Sequence, residues 1–135
     1  MALSEIKAIA AQGMAEQRLI VEAAGLNIAN ANKVVRSGVS VPVYHVESSN
    51  QSFAEMVVGQ ALKEPHIVSA KAGLKSHYAP SSPNADGQGM VWRADIDTTQ
   101  QLIDVVSATR TYEANLRIYN AASSMGRKIL KLGSN

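Results

Sequence analysis

Three histidines, His45, His66 and His77, are the side chains best suited to proton transfer or metal ligation near neutral pH. They fall singly and at irregular spacing, with no His-x-x-x-His or Glu-x-x-His arrangement to place two ligands on one face. Asp86, Asp95 and Asp97 gather within a short stretch but lack the spacing of an EF-hand loop, and turn and helix-start roles account for them. The many serines include no Gly-x-Ser-x-Gly elbow, and Gly87, Gln88 and Gly89 read as a turn rather than a phosphate cradle. The chain has no cysteine, which removes disulfides, thiolate ligands and a thiol nucleophile together. No polar set converges at a catalytic spacing, so the expectation is a protein that is not an enzyme, with no metal, no cofactor and no small-molecule substrate.

The elements that would have to carry these residues divide into two textures. From Leu3 to about Lys33 there is no proline. Leu3, Ile6, Ala10, Gly13, Gln17, Ile20, Ala24, Asn27 and Ala31 follow in alternating steps of three and four, the heptad spacing of a helix. Ser4 is its expected N-cap, and Gly38 lies just beyond its end. A second helix is expected from Thr98, with Gln101 completing a capping box, to about Leu132, with Gly133 as its stop. Its stripe reads Leu102, Val105, Thr109, Tyr112, Leu116, Tyr119, Ser123, Gly126 and Leu130. Between the helices, Val39, Val41 and Val43 alternate with Ser40 and Pro42, which predicts an edge strand running to Val46. Ser52 to Leu62 fits a helix through Phe53, Met56, Val57 and Ala61 or a strand through Phe53, Glu55, Val57 and Gly59, and is read as a strand; Ile67 to His77 supplies a further one, and Tyr78 to Gly89 is a turn-rich loop.

The predicted fold class is therefore mainly α, with long N- and C-terminal helices forming an antiparallel coiled-coil pair and a small β-rich middle segment. Residues 1–35 and 96–135 would together make the helical core, and residues 36–95 the β-rich and loop segment. Asn, Gly, Ser and Thr in both stripes fit a chain that packs against neighbours at close approach better than one that needs only its own partner helix.

Composition points the same way. The chain has 135 residues, 46% hydrophobic but only 4% aromatic, and nine of its first 31 residues are alanine, so each buried side chain removes little area from water. A net charge of +2, with 11 acidic residues among 13 basic ones, gives no nucleic-acid footprint. The cluster Arg127, Lys128 and Lys131 suits the negative end of a helix dipole. No segment reaches the length of a membrane span. Met1 to Lys7 includes Glu5 and no basic stretch followed by an apolar run, so no cleaved signal peptide is expected.

Three local motifs carry a resemblance. Asn27, Ala29 and Asn30, in the run Leu26, Asn27, Ile28, Ala29, Asn30, match the Ala-x-Asn-Leu-Ala-Asn-x-x-Thr signature of flagellar axial proteins. Tyr78, Pro80, Pro83, Ala85, Asp86, Gly89 and Val91 match one for one the Tyr-x-Pro-x-x-Pro-x-Ala-Asp-x-x-Gly-x-Val loop of flagellar basal-body rod proteins of the FlgC type. Ser107 to Asn115 then resembles that family's Ser-Ala-Ser-Arg-Ser-Tyr-Gln-Ala-Asn. The sequence is similar to the family over roughly residues 3–34 and 78–133, and departs from it at Leu26, Lys33, Val34, Asp95 and Asp97 and through the middle segment.

The resemblance implies a structural subunit of the bacterial flagellum, exported by a type III route without a cleaved signal and self-assembling into the periplasmic rod of the basal body. Its implied partners are copies of itself, other proximal and distal rod proteins and the rod adaptor at the export gate. Asn27, Ile28, Ala29 and Asn30 on the first helix, and Tyr112, Asn115, Leu116 and Tyr119 on the second, are the residues implied in helix packing within or between subunits. Another axial protein of the rod and hook family, or a free-standing coiled-coil adaptor, are the competing readings.

Overall fold

The computed structural model describes residues 2–48 and 64–133. Helix α1 spans Ala2–Ala31 and helix α2 spans Thr98–Gly133, and the described residues between them form five short strands: β1 (Val34–Val35), β2 (Pro42–Glu47), β3 (His66–Lys71), β4 (Leu74–Tyr78) and β5 (Met90–Ala94). The segment read as a strand at Ser52 to Leu62 lies outside the described residues. None of the described helices is long and apolar enough to cross a membrane.

Both helices begin differently from the sequence expectation. Helix α1 starts at Ala2, so Ser4 sits inside its first turn rather than capping it. For α2 the cap is Asp97: its Oδ1 accepts from the amides of Thr99 at 2.9 Å and Gln100 at 3.2 Å, while the Gln101 amide donates to the Asp97 carbonyl at 3.1 Å. A carboxylate at this position satisfies two orphan donors and faces the positive end of the dipole, so it displaces Thr98 from the role. Gln101 is thereby released for another contact.

The helices pack against each other, and their contacts run in opposite order along the two chains. Lys7 lies over the Tyr119 ring, Gly13 meets Asn115 and Asn27 meets Gln101. The α1 stripe is buried or half-buried at every position but Ile6, which is 42% exposed, with Ala10, Ala24, Asn27 and Ala31 all below 10% exposure. The α2 stripe is not. Ala108 and Ala122 are buried and Gln101, Val105, Asn115, Tyr119 and Gly126 half-buried, whereas Leu102, Thr109, Leu116 and Leu130 stay exposed. The seam lies one residue away from the largest apolar side chains, because alanine, glycine and asparagine permit the closer approach.

The strands form two small antiparallel sheets, one in the order β1-β5-β4 and one pairing β2 with β3. Strand β2 starts at Pro42, later than the alternation at Val39 implied, and Pro42 occupies the first position, where its missing N–H costs no ladder bond. The Ile67 to His77 region yields two strands, since the chain crosses at Ala72 and Gly73 from one sheet to the other. There the Ala72 amide donates to the Val41 carbonyl at 2.9 Å and the Asp95 amide to the Gly73 carbonyl at 2.7 Å. A compact cluster of Val35, Val41 and Ala94, with Ala72, Leu74, Trp92 and Ile96 packed on it, ties the sheets together beside the α1 C-terminus and the α2 N-terminus.

Candidate functional site

The most connected polar residue of the helical pair is Asn27. It is 3% exposed, and its amide forms a fork against the backbone of β2: the Tyr44 N–H donates to Oδ1 at 2.7 Å and Nδ2 donates to the Tyr44 carbonyl at 2.8 Å. Nδ2 also donates to Oε1 of Gln101 on α2 at 2.9 Å. One side chain thus imitates the edge of a neighbouring strand and pins α1, α2 and β2 at a single point. Asn30, one turn on, adds a bond from Nδ2 to the Pro42 carbonyl at 3.0 Å. An asparagine is needed because only an amide offers an acceptor and two donors on one planar group. The poor helix propensity of these residues is outweighed by backbone groups of β2 that would otherwise be unpaired.

Of the neighbours in that motif, Ile28 is half-buried and Ala29 is exposed. Gln101 was legible only as a possible capping residue, and nothing in the sequence announced that its side chain would reach α1. On α2, Asn115 packs against Gly13 so closely that a Cβ there would lie 2.6 Å from its Nδ2. Tyr119 is half-buried with the Lys7 ammonium 5.6 Å from its ring centroid, a cation–π geometry. Tyr112 and Leu116 lie at 37% and 39% exposure. Tyr112 borders two hollows, one shared with Gln17, Arg18 and Val21 and one with Ala11, Met14 and Arg18.

The loop motif forms the β4–β5 hairpin, closed by the pairing of Tyr78 with Met90. Asp86 organises its tip: Oδ1 accepts from the amides of Gln88 and Met90, each at 2.9 Å, and its own amide donates to the Met90 carbonyl at 2.9 Å. Gly89 takes φ +76°, and a Cβ there would stand 3.0 Å from Tyr78 and 3.1 Å from Pro80. Pro83 accepts from the Arg36 guanidinium at 3.3 Å, and the Asn84 Nδ2 donates to the Val34 carbonyl at 3.3 Å, so the loop folds back on β1. Ala85 is half-buried, while Tyr78 is 66% exposed.

The chemistry-bearing residues serve these same local ends. Asp95 pairs with Lys75 at 2.6 Å. His45 and His66 flank Glu47 on the surface of the β2–β3 pair at 3.8 and 4.0 Å, while His77 is exposed on β4. The described residues contain no group of three acidic, histidine or cysteine side chains placed to hold a metal ion.

The outer surface of the helices has a different character. Leu102, Ile103 and Val106 on α2 are 57%, 55% and 52% exposed and border a shallow groove of about 460 Å³. Farther along, Met125, Ile129, Leu130 and Leu132 all exceed half exposure. Faces of this kind fit helix-to-helix contact between subunits.

Comparison with known proteins agrees with that character. The family model described as the flagellar basal body rod FlgEFG protein C-terminal region matches residues 88–132, the β5 strand and α2. The flagellar basal-body rod protein FlgC of Salmonella typhimurium is 32% identical, over 98% of this chain and 99% of its own length. The FlgC proteins of Aquifex aeolicus and Bacillus subtilis are 31% and 26% identical, over 83% and 93% of this chain. Coverage of both helices and the middle segment by whole-length relatives places the chain in the FlgC family of flagellar basal-body rod proteins, a structural and non-enzymatic family.

Proposed function

We propose that this rod subunit polymerises through its terminal helices into the axial tube that transmits torque and lines the export channel. Helices α1 and α2 act as one antiparallel coiled-coil body, made from residues 1–35 and 96–135, with residues 36–95 as a lobe at one end. The subunit reaches the periplasmic rod through the type III route, and its neighbours are copies of itself, other proximal and distal rod proteins and the adaptor at the export gate.

The observation that carries this reading is the row of exposed large aliphatic side chains on the two helices: Ile6 and Ile9 on α1, and Leu102, Ile103, Val106, Ile118, Ile129 and Leu130 on α2. Packing against neighbours removes that area from water, and the gain offsets the entropy of fixing the helices. Torque transmission requires this kind of packed helix and no reactive group.

Tyr112 and Leu116 lie at the rim of the seam, where they contribute to packing within and between subunits. Replacing either by alanine is expected to reduce motility and recovery of the chain in isolated basal bodies, with the soluble fold retained by circular dichroism. Normal motility and normal incorporation in both variants would contradict the proposal.

A further inference from the structure

The exposed faces of α1 and α2 carry complementary patterns. On α2, Val106, Arg110 and Glu113 follow at steps of four and three, so they share one face, and all are exposed. On α1, Leu26, Glu22 and Arg18 follow at steps of four and are also exposed. Laid antiparallel, the two runs meet as Leu26 with Val106, Glu22 with Arg110 and Arg18 with Glu113. The same alignment brings exposed Glu5 level with Arg127 and Lys128 at the far end.

The internal seam uses a different register. Asn27 meets Gln101 and Gly13 meets Asn115 there, which sets Arg18 level with Arg110 and leaves Glu22 opposite Val106. The charge-matched register lies four residues farther along α2, a displacement of about 6 Å at 1.5 Å per residue. Pairing α2 with another α2 in parallel and in register would instead bring Arg110, Arg117 and Lys128 against their own kind.

Building on the assembly reading above, we propose that the groove beside Leu102, Ile103 and Val106 receives α1 of a second copy of this chain, antiparallel and one helical turn out of step with the internal seam. Each α2 is then sandwiched between its own α1 and that of the next copy. The contact joins two different surfaces, so it is heterologous and propagates. Its axial offset makes each copy step along the assembly, which generates a helix rather than a flat ring.

The test uses the absence of native cysteine. In a full-length Leu26→Cys/Val106→Cys chain the two thiols sit on opposite outer faces of the helical pair, beyond the Cβ separation of about 3.5–4.5 Å that a disulfide needs, so only intermolecular bonds form. Mild copper-catalysed oxidation of isolated basal bodies, and of the concentrated purified chain, is expected to give a ladder of dimer, trimer and higher multiples. Mixing the two single-cysteine variants is expected to stop at the dimer. Glu22→Arg or Arg110→Glu alone should reduce ladder yield severalfold, and the two together should restore it, with folding checked by circular dichroism.

Efficient dimers from the Val106→Cys chain alone, adducts whose mass is not a multiple of this chain, or no ladder from chains present in basal bodies would overturn the proposal while leaving the rod reading intact. A chain absent from basal bodies would count against the rod reading instead, and the ladder from the purified chain would then decide the proposal by itself.

Discussion

Asn27→Leu keeps the branched outline of the side chain, at a larger volume, but leaves the Tyr44 N–H and C=O and the Gln101 amide without their partners. The expected loss is about 2–4 kcal/mol, since stranded polar groups near a core each cost on the order of 1–3 kcal/mol. Asn30→Ala breaks one bond at a half-buried site and should cost about 1 kcal/mol. Urea denaturation of the two variants beside the parent checks both the sizes and their order. At the α2 start, Asp97→Ala should lower stability by about 1 kcal/mol and Asp97→Asn by much less, because the amide oxygen still accepts from the first turn. Gly89→Ala places a Cβ at positive φ against Tyr78 and Pro80, and a shift of the thermal midpoint downward by several degrees is expected, about 1–2 kcal/mol. The asparagines stood out in the sequence as poor helix formers in a row, but their partners did not. Pro42 and Tyr44 offer backbone groups, which no residue type advertises.

At the scale of elements, the seam of α1 was legible at Ala10, Ala24, Asn27 and Ala31, small residues at heptad spacing, while Ile6 of the same stripe stays exposed and buried Ala23 was missed. The seam of α2 was misread for the converse reason. Leu102, Leu116 and Leu130 attracted the stripe, while the structure buries Ala108 and Ala122 and keeps those leucines at the surface. Two helices that must touch on one side and offer apolar area on the other do not concentrate their large residues in one seam. Gly13 marks the closest approach, and Gly13→Leu should push α2 away and destabilise by about 1–3 kcal/mol through overcrowding of Asn115. A broadened or earlier thermal transition in that variant, with Gly25→Leu as a control on an open face, measures it. Of the strands, β2 and the turn-rich loop after Tyr78 followed from alternation and from turn residues. Strands β1 and β5 escaped notice because one has two residues and the other, Met90–Ala94, owes its form to pairing with β4 rather than to its own pattern.

For the molecule as a whole, a thin core and exposed aliphatic side chains on the helices belong together. Among the described residues the buried apolar set consists of alanines and valines, and the larger aliphatic side chains lie partly or mostly exposed. Such a chain gains its remaining order from association, so its helices should be far less protected alone than in the rod. Hydrogen exchange tests this most directly, following amides of α1 and α2 in the purified monomer and in isolated basal bodies. The account predicts markedly faster exchange of both helices in the monomer than in the assembly, with the gain in protection greatest along α2 from Leu102 to Leu116. Strong protection of both helices in the monomer, unchanged in the basal body, would contradict it and identify a self-sufficient helical pair.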